Sequence, residues 1–222
     1  MTYKAIIFDM DGTLVDSLFI WDVIWEALGK EFNGGQTITP TDADDKAVRT
    51  LILRDAMELI HRNYHLGKSG EDLFRATNAI ILDFYQNRVT LKEGVREFLE
   101  DCRVKGTRMV IASASARNMI EAALHHTEIA HYFEEVLTCA ELGGGKDRPD
   151  IYLLAKDHLG LPREDIWVFE DSHVALETAS RAGFPTQGIY DRCNPWQAQI
   201  RAASRCYLGP GESFADLIHR KE

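Results

Sequence analysis

The chain has 222 residues, 45% of them hydrophobic and 27% charged, with a formal net charge of −10. That length admits one large domain or a core with a smaller insertion, and the composition is that of a globular protein in water. The acidic balance speaks against a nucleic-acid partner, which asks for a basic face, and no apolar run has the length of a membrane span.

Along the chain, Tyr3-Lys4-Ala5-Ile6-Ile7 is a short apolar run that reads as a buried strand. It leads into FDMDGTLVDS at positions 8 to 17, with Asp9 and Asp11 where the strand should end. Gly12 and Thr13 let the backbone turn and offer N–H groups to an anion. From Leu18 to about Leu91 the texture is helical, with no convincing strand. Ile20, Trp21, Ile24, Trp25 and Leu28 form a stripe at helical spacing, ended by Asn33-Gly34-Gly35. A second helix is predicted after Pro40-Thr41-Asp42, with Val48, Leu51, Ile52, Ala56, Leu59 and Ile60 on its apolar face. A third is predicted from about Ser69 to Asn87.

From Thr90 onward strands and helices alternate. Val95, Phe98, Leu99 and Cys102 line a helix, Arg108 to Ala112 reads as a buried strand, and a helix spans about Arg117 to His126. A strand near Glu135 to Thr138, a helix from Pro149 to Leu159 and a strand over Ile166 to Phe169 follow. The last predicted pair is a helix over His173 to Ala182 and a strand near Thr186 to Tyr190. Such alternation implies βαβ units on a parallel sheet. The expected fold is α/β, a Rossmann-like parallel-sheet core from residues 1–17 and 89–222 with an all-helical insertion over 18–88.

Chemistry in open α/β sheets gathers at the carboxyl ends of the strands. Three predicted strands deliver Asp9 and Asp11, then Ser113, then Glu170 and Asp171 to such ends, and Lys146 sits in the glycine-rich GGGKDRP just before a helix. Paired carboxylates are costly to place together without a cation or shared protons. Hard oxygen ligands favour Mg²⁺, which takes one or two carboxylates plus a substrate phosphate. A lysine can serve as a point charge for that phosphate, and a carboxylate can attack phosphorus. The expected substrate therefore carries a phosphate.

This set resembles the haloacid dehalogenase-like hydrolases, in their phosphatase branch with a small helical cap, of the β-phosphoglucomutase and phosphoglycolate phosphatase type. The likeness covers nearly the whole chain. Its motifs are DxDGT at Asp9 to Thr13, the strand-ending Ser113 in VIASAS, Lys146 in GKDRPDIY, and Glu170-Asp171 in VFEDS. The resemblance implies that Asp9 is nucleophile and Mg²⁺ ligand. Asp11 would be the general acid and then base, and would lend its backbone carbonyl to the metal. Ser113 would bind the phosphoryl group, Lys146 would bridge phosphate and Asp9, Asp171 would ligate the metal, and Glu170 would do so directly or through water. Two departures are peripheral: Ala175 stands where relatives often have Gly, and Asp147 where Pro is frequent. Asp11 itself speaks against carbon–halogen cleavage, which does not need this acid.

The leading expectation is a Mg²⁺-dependent phosphatase acting on a small phosphorylated metabolite, a sugar phosphate or similar phosphomonoester, through an aspartyl-phosphate. A phosphomutase of the β-phosphoglucomutase type is the alternative, disfavoured because Leu18 to Asp22 offers no histidine where that mutase carries one. A non-catalytic binding protein is the third, at odds with an intact acidic set. On the helical insertion, Trp21 and Arg49 are the first candidates for substrate binding, against packing and solvated charge as the plainer readings. His61 and His65, four apart without a zincin glutamate, read as packing or surface residues, and Ser115 reads as a helix cap. Cys102, Cys139, Cys193 and Cys206 form no C-x-x-C pair and read as reduced thiols of a cytoplasmic protein. The N-terminus lacks a signal-peptide pattern.

Overall fold

A computed structural model describes residues 3–49 and 51–219. Strand β1 (Ala5–Phe8) runs into a turn and a two-residue strand β2 (Val15–Asp16). Four helices follow: α1 (Ile20–Phe32), α2 (Asp42–Val48), α3 (Leu53–Tyr64) and α4 (Gly70–Asn87). The chain continues through β3 (Thr90–Leu91), α5 (Val95–Val104), β4 (Arg108–Ser113), α6 (Arg117–His126) and β5 (Glu135–Thr138). It closes with α7 (Cys139–Leu142), α8 (Asp150–Leu159), β6 (Ile166–Glu170), α9 (His173–Arg181), β7 (Thr186–Ile189), α10 (Gln197–Ala203), β8 (Cys206–Leu208) and α11 (Phe214–His219). Two compact units result, one of residues Met1–Leu18 and Val89–Glu222, the other of Phe19–Arg88. Leu18 thus goes with the α/β unit.

The α/β unit is built on a six-stranded sheet in the order β5-β4-β1-β6-β7-β8, with every pairing parallel. Both faces are covered, so β1 and the interiors of β4 and β6 are continuous apolar runs rather than alternating, with polar residues only at the strand ends. One face buries Ala5, Ile7, Val110, Ala112, Ile166 and Val168 against Ile151, Tyr152, Ala155 and Leu159 of α8 and Ala179 of α9. The other buries Phe8 and Phe169, 5.1 Å apart, with Phe98 of α5 stacked 5.7 Å from Phe169 and Phe214 of α11 5.6 Å from Phe98. Residues adjacent along β1 and β6 therefore point to opposite cores, as a period of two requires.

The helical unit has a core of its own, formed by Ile24, Trp25, Leu28, Val48, Ala56, Met57, Ile60, Leu66 and Leu73. Four helices stand where three were expected. The predicted second helix ends at Val48 and a new one starts at Leu53, with Ile52 extended (ψ 147°) and 70% exposed. Val48 and Ala56 still reach the same core, so a periodicity reading runs straight across the break. Thr41 caps α2, accepting from the Asp44 N–H at 3.1 Å, and Asp42, Asp44 and Asp45 favour its positive end. Ser69 caps α4 in the same way through the Asp72 N–H.

A further departure from expectation is the antiparallel pairing of β2 with β3, Val15 opposite Leu91 and Asp16 opposite Thr90. Two residues carry no period, so neither strand is legible from sequence. They pair the chain where it leaves the α/β unit with the chain where it returns. Among the described residues no helix is long and apolar enough to cross a membrane, and the four cysteines form no disulfide.

Candidate active site

Strands β4, β1 and β6 are adjacent, and Phe8 is in register with both Ile111 and Phe169. Their carboxyl ends therefore lie side by side, which brings together residues as far apart in sequence as Asp9, Ser113 and Glu170. The Asp9 N–H still donates to the Phe169 carbonyl (2.9 Å), fixing the first aspartate as a continuation of the ladder. The chain then turns, with Leu14 and Val15 N–H groups both bonded to the Met10 carbonyl. Gly12 sits in this turn at φ +74°, and a Cβ there would come within 2.5 Å of the Asp171 carboxylate. Only glycine meets both demands, the left-handed backbone and the close approach.

Asp9, Glu170 and Asp171 are buried, and each offers a carboxylate oxygen within 4.8 Å of the others. Lys146 reaches in from the loop after α7, which ends at Gly143 in the left-handed conformation (φ 65°). Its ammonium bonds to Asp9 Oδ1 and Glu170 Oε1. The other Glu170 oxygen accepts from the N–H groups of Asp171 (3.0 Å) and Ser172 (3.2 Å), so this carboxylate is satisfied on both sides. Asp171 Oδ1 takes the Thr13 hydroxyl (3.3 Å), and Oδ2 takes the Asn194 amide (3.3 Å).

One ammonium among three buried carboxylates leaves negative charge uncompensated, and proton affinities show it. Burial, reinforced by Glu170, pushes the Asp9 carboxyl well above the usual range. Burial and Glu170 likewise push Asp171 up to about 7. For Lys146 burial works against the charge, but Asp9 and Glu170 outweigh it and raise its proton affinity well above that of a free lysine. Three oxygen donors converging with an excess of negative charge fit a hard divalent cation such as Mg²⁺.

Asp11 stands apart from that trio. Its carboxylate oxygens accept from the hydroxyls of Ser17 (2.6 Å) and Ser115 (2.5 Å). Ser115 is thus not the helix cap expected of it. The residue preceding α6 is Ala116, which makes no side-chain cap, and Ser115 instead orients an acid from the turn after β1. Ser113, buried at the end of β4, accepts the Ser115 N–H (3.1 Å). Sequence reasoning missed Ser115, Ser17 and Asn194 as site residues. Two serines flanking the first two motifs were the available signal for Ser17 and Ser115, and nothing local marks Asn194.

In the helical unit, Arg49 is bonded to Asp45 (2.8 Å) and Asp22 (2.9 Å). Trp21 packs on the unit's own apolar cluster. His61 bonds through Nδ1 to the Leu66 carbonyl (2.6 Å), closing the end of α3.

The haloacid dehalogenase-like hydrolase family matches residues 3–183 of the sequence, a span that includes all four motifs. The chain belongs to this family. It is similar to a phosphorylated carbohydrates phosphatase of Thermotoga maritima, 23% identical over 94% of this chain and 95% of that one. It is also similar to the protein CbbY of Rhodobacter capsulatus, 30% identical over 82% and 83% of the two chains. Among solved structures, a candidate β-phosphoglucomutase from Thermotoga maritima superposes with a TM-score of 0.84, covering 97% of this chain and 98% of that one at 22% identity. In this hydrolase the parallel sheet with its flanking helices is the family's fold.

Proposed function

We propose that this hydrolase is a Mg²⁺-dependent phosphatase of small phosphorylated metabolites, sugar phosphates or similar phosphomonoesters, working through an aspartyl-phosphate. The observation that carries the reading is the division of labour between two aspartates two residues apart. Asp9 lies in the charged cluster with Lys146, and Asp11 lies outside it under two hydroxyls. The name of the Thermotoga maritima phosphatase points to the same substrate class.

Asp9, Glu170 and Asp171, with the Asp11 carbonyl, would hold the cation. When bound it would draw charge from the phosphoryl oxygens and favour the ionised form of the carboxylates around it. The remaining work falls to the chain. Lys146 keeps the Asp9 carboxylate oriented and supplies positive charge to the phosphoryl oxygens. Ser113 donates to one of those oxygens. A carboxylate oxygen of Asp9 attacks phosphorus, and the bond to the leaving oxygen breaks as Asp11 gives that oxygen a proton. Asp11, now a carboxylate, takes a proton from water as the water oxygen attacks the same phosphorus. The Asp9–phosphate bond breaks, inorganic phosphate leaves, and both aspartates return to their starting forms. Acid–base help of this kind is worth about 10²–10⁴-fold.

The helical unit is proposed as the cap that selects the substrate, with Trp21 and Arg49 as first candidates. Arg49 is already paired with Asp45 and Asp22, so an anionic substrate group would have to displace one of these partners, of which Asp22 is the exposed one. A phosphomutase would share every step up to the phosphoenzyme and then return the group to a second sugar hydroxyl. The likeness to a candidate β-phosphoglucomutase structure keeps that reading in view. A non-catalytic role is disfavoured, since the buried carboxylates would then only cost stability.

A panel of phosphomonoesters assayed for phosphate release, with EDTA and with added Mg²⁺, tests the reading. Release that needs Mg²⁺ is the expected result. Undiminished release in excess chelator, or interconversion of sugar phosphates without release, would overturn it.

A further inference from the structure

We propose that Asn194, with the loop from Asp191 to Gln197 that carries it, is a brace that positions Asp171 for the cation. The inference rests on the proposed role of Asp171 as a metal ligand. Asn194 lies between β7 and α10, outside the family's motifs. Its amide nitrogen donates to the Asp171 backbone carbonyl (2.9 Å) and to Asp171 Oδ2 (3.3 Å). Its amide oxygen accepts the Trp196 N–H (3.0 Å), which sets the amide so that the donor end faces Asp171. With Thr13 on Oδ1 and Asn194 on Oδ2, each Asp171 oxygen has one neutral donor and keeps acceptor capacity for a cation.

The loop is built to hold that amide still. The Asn194 N–H donates to the Asp191 carbonyl (3.1 Å). Gln197 donates to the carbonyls of both Asp191 (2.7 Å) and Asn194 (2.8 Å), and Gln197 Oε1 accepts the Tyr207 hydroxyl (2.7 Å). The root is Asp191, 1% exposed, with Oδ2 on the Lys92 ammonium (2.7 Å) and Oδ1 on the Cys193 N–H (2.8 Å). Lys92 also donates to the Tyr190 carbonyl (2.8 Å). A buried ion pair whose other groups are bonded in this way contributes fixed geometry more than stability. Hydrogen-bond partners of metal ligands typically change metal affinity or activity by about 10–100-fold when removed.

The test is a calorimetric Mg²⁺ titration of the full chain, stripped with EDTA and desalted, as wild type, Asn194→Ala and Gln197→Leu. The Ala variant should bind Mg²⁺ about tenfold or more weakly. The Leu variant, which loosens the loop without touching Asp171, should lose roughly threefold, as a partial disturbance of the same partner. Both should unfold in EDTA within a few degrees of wild type. Wild-type Mg²⁺ affinity in both variants would overturn the brace. So would a weakened affinity in Asn194→Ala that merely follows its loss of stability while Gln197→Leu stays at the wild-type value. Because the readout is binding, the two readings fail separately. Mg²⁺ binding without hydrolysis of any phosphomonoester sinks the phosphatase and leaves the brace. Hydrolysis with unchanged Mg²⁺ affinity in both variants does the reverse. Wild type that does not bind Mg²⁺ sinks both.

Discussion

The metal-free protein should lose stability as pH rises through the neutral range, and Mg²⁺ should give it back. Asp171 has its carboxyl raised from 3.8 to about 7, first by burial and then by Glu170. The folded state therefore keeps a proton that the unfolded chain has already released. Where the native state binds more protons, stability falls with increasing pH, here from about pH 4 to about pH 7, and is level above. At roughly 1 kcal/mol or a little more per decade the full difference is on the order of 4 kcal/mol, of which more than half falls between about pH 5 and about pH 8. Asp9, raised by the same causes, adds to the slope. Lys146 is protonated throughout the window and contributes none. Urea or thermal unfolding in EDTA at the two pH values reads this directly, and a loss of about 2–3 kcal/mol is about 4–12 °C for a chain of this size. Asp171→Asn should flatten much of the slope, and Mg²⁺ at about pH 8 should restore stability, because a cation favours the ionised carboxylates. A stability in EDTA that is constant or rises over this window, or that ignores Mg²⁺, would refute the reasoning.

Asp9→Asn should fold and release no phosphate, because an amide does not attack phosphorus. In single turnover in heavy-oxygen water the label should appear in the released phosphate and not in Asp9, because water attacks phosphorus, and borohydride reduction of the acid-trapped acyl phosphate followed by mass analysis of the peptide containing Asp9 checks the covalent step. Asp11→Asn should keep its Mg²⁺ affinity and lose about 10²–10⁴-fold in kcat, most for esters with poor leaving groups. A loss independent of leaving group would mean that Asp11 only shapes the turn. Changing Trp21 or Arg49 to Ala should reorder rates across a sugar-phosphate panel while leaving a small aryl phosphate nearly unaffected. An unaltered ranking in both variants would place substrate choice on other residues.

Much of the candidate site was legible because its signals are local. Each of Asp9, Ser113 and Glu170 follows an apolar run that is short, β-rich and buried on both faces, and each run made its strand. Parallel alternation then required their carboxyl ends to point one way, which placed the motifs on one edge without any coordinate. Lys146 was marked by the glycines that precede it. The helical texture over 18–88 was equally legible, since propensity and a 3.6-residue period act over a few turns.

What the sequence left open depends on contacts with no local trace. The break between Val48 and Leu53 is invisible because both helices present apolar residues to one core. The β2–β3 pair joins residues more than seventy positions apart, and two-residue strands have no period to read. Ser115 looked like a cap, as most serines before a helix do, until β1 and β4 set it 2.5 Å from Asp11. Asn194, before Pro195, carries no local signal, yet the return of the chain from β7 lays its amide on Asp171. Amino-acid order alone determined which carboxylates meet, because strand ends are set by short-range pattern. Which hydroxyls and amides orient those carboxylates was decided by tertiary packing, because a hydrogen bond is specified to tenths of an ångström and only the assembled loops fix distances so finely.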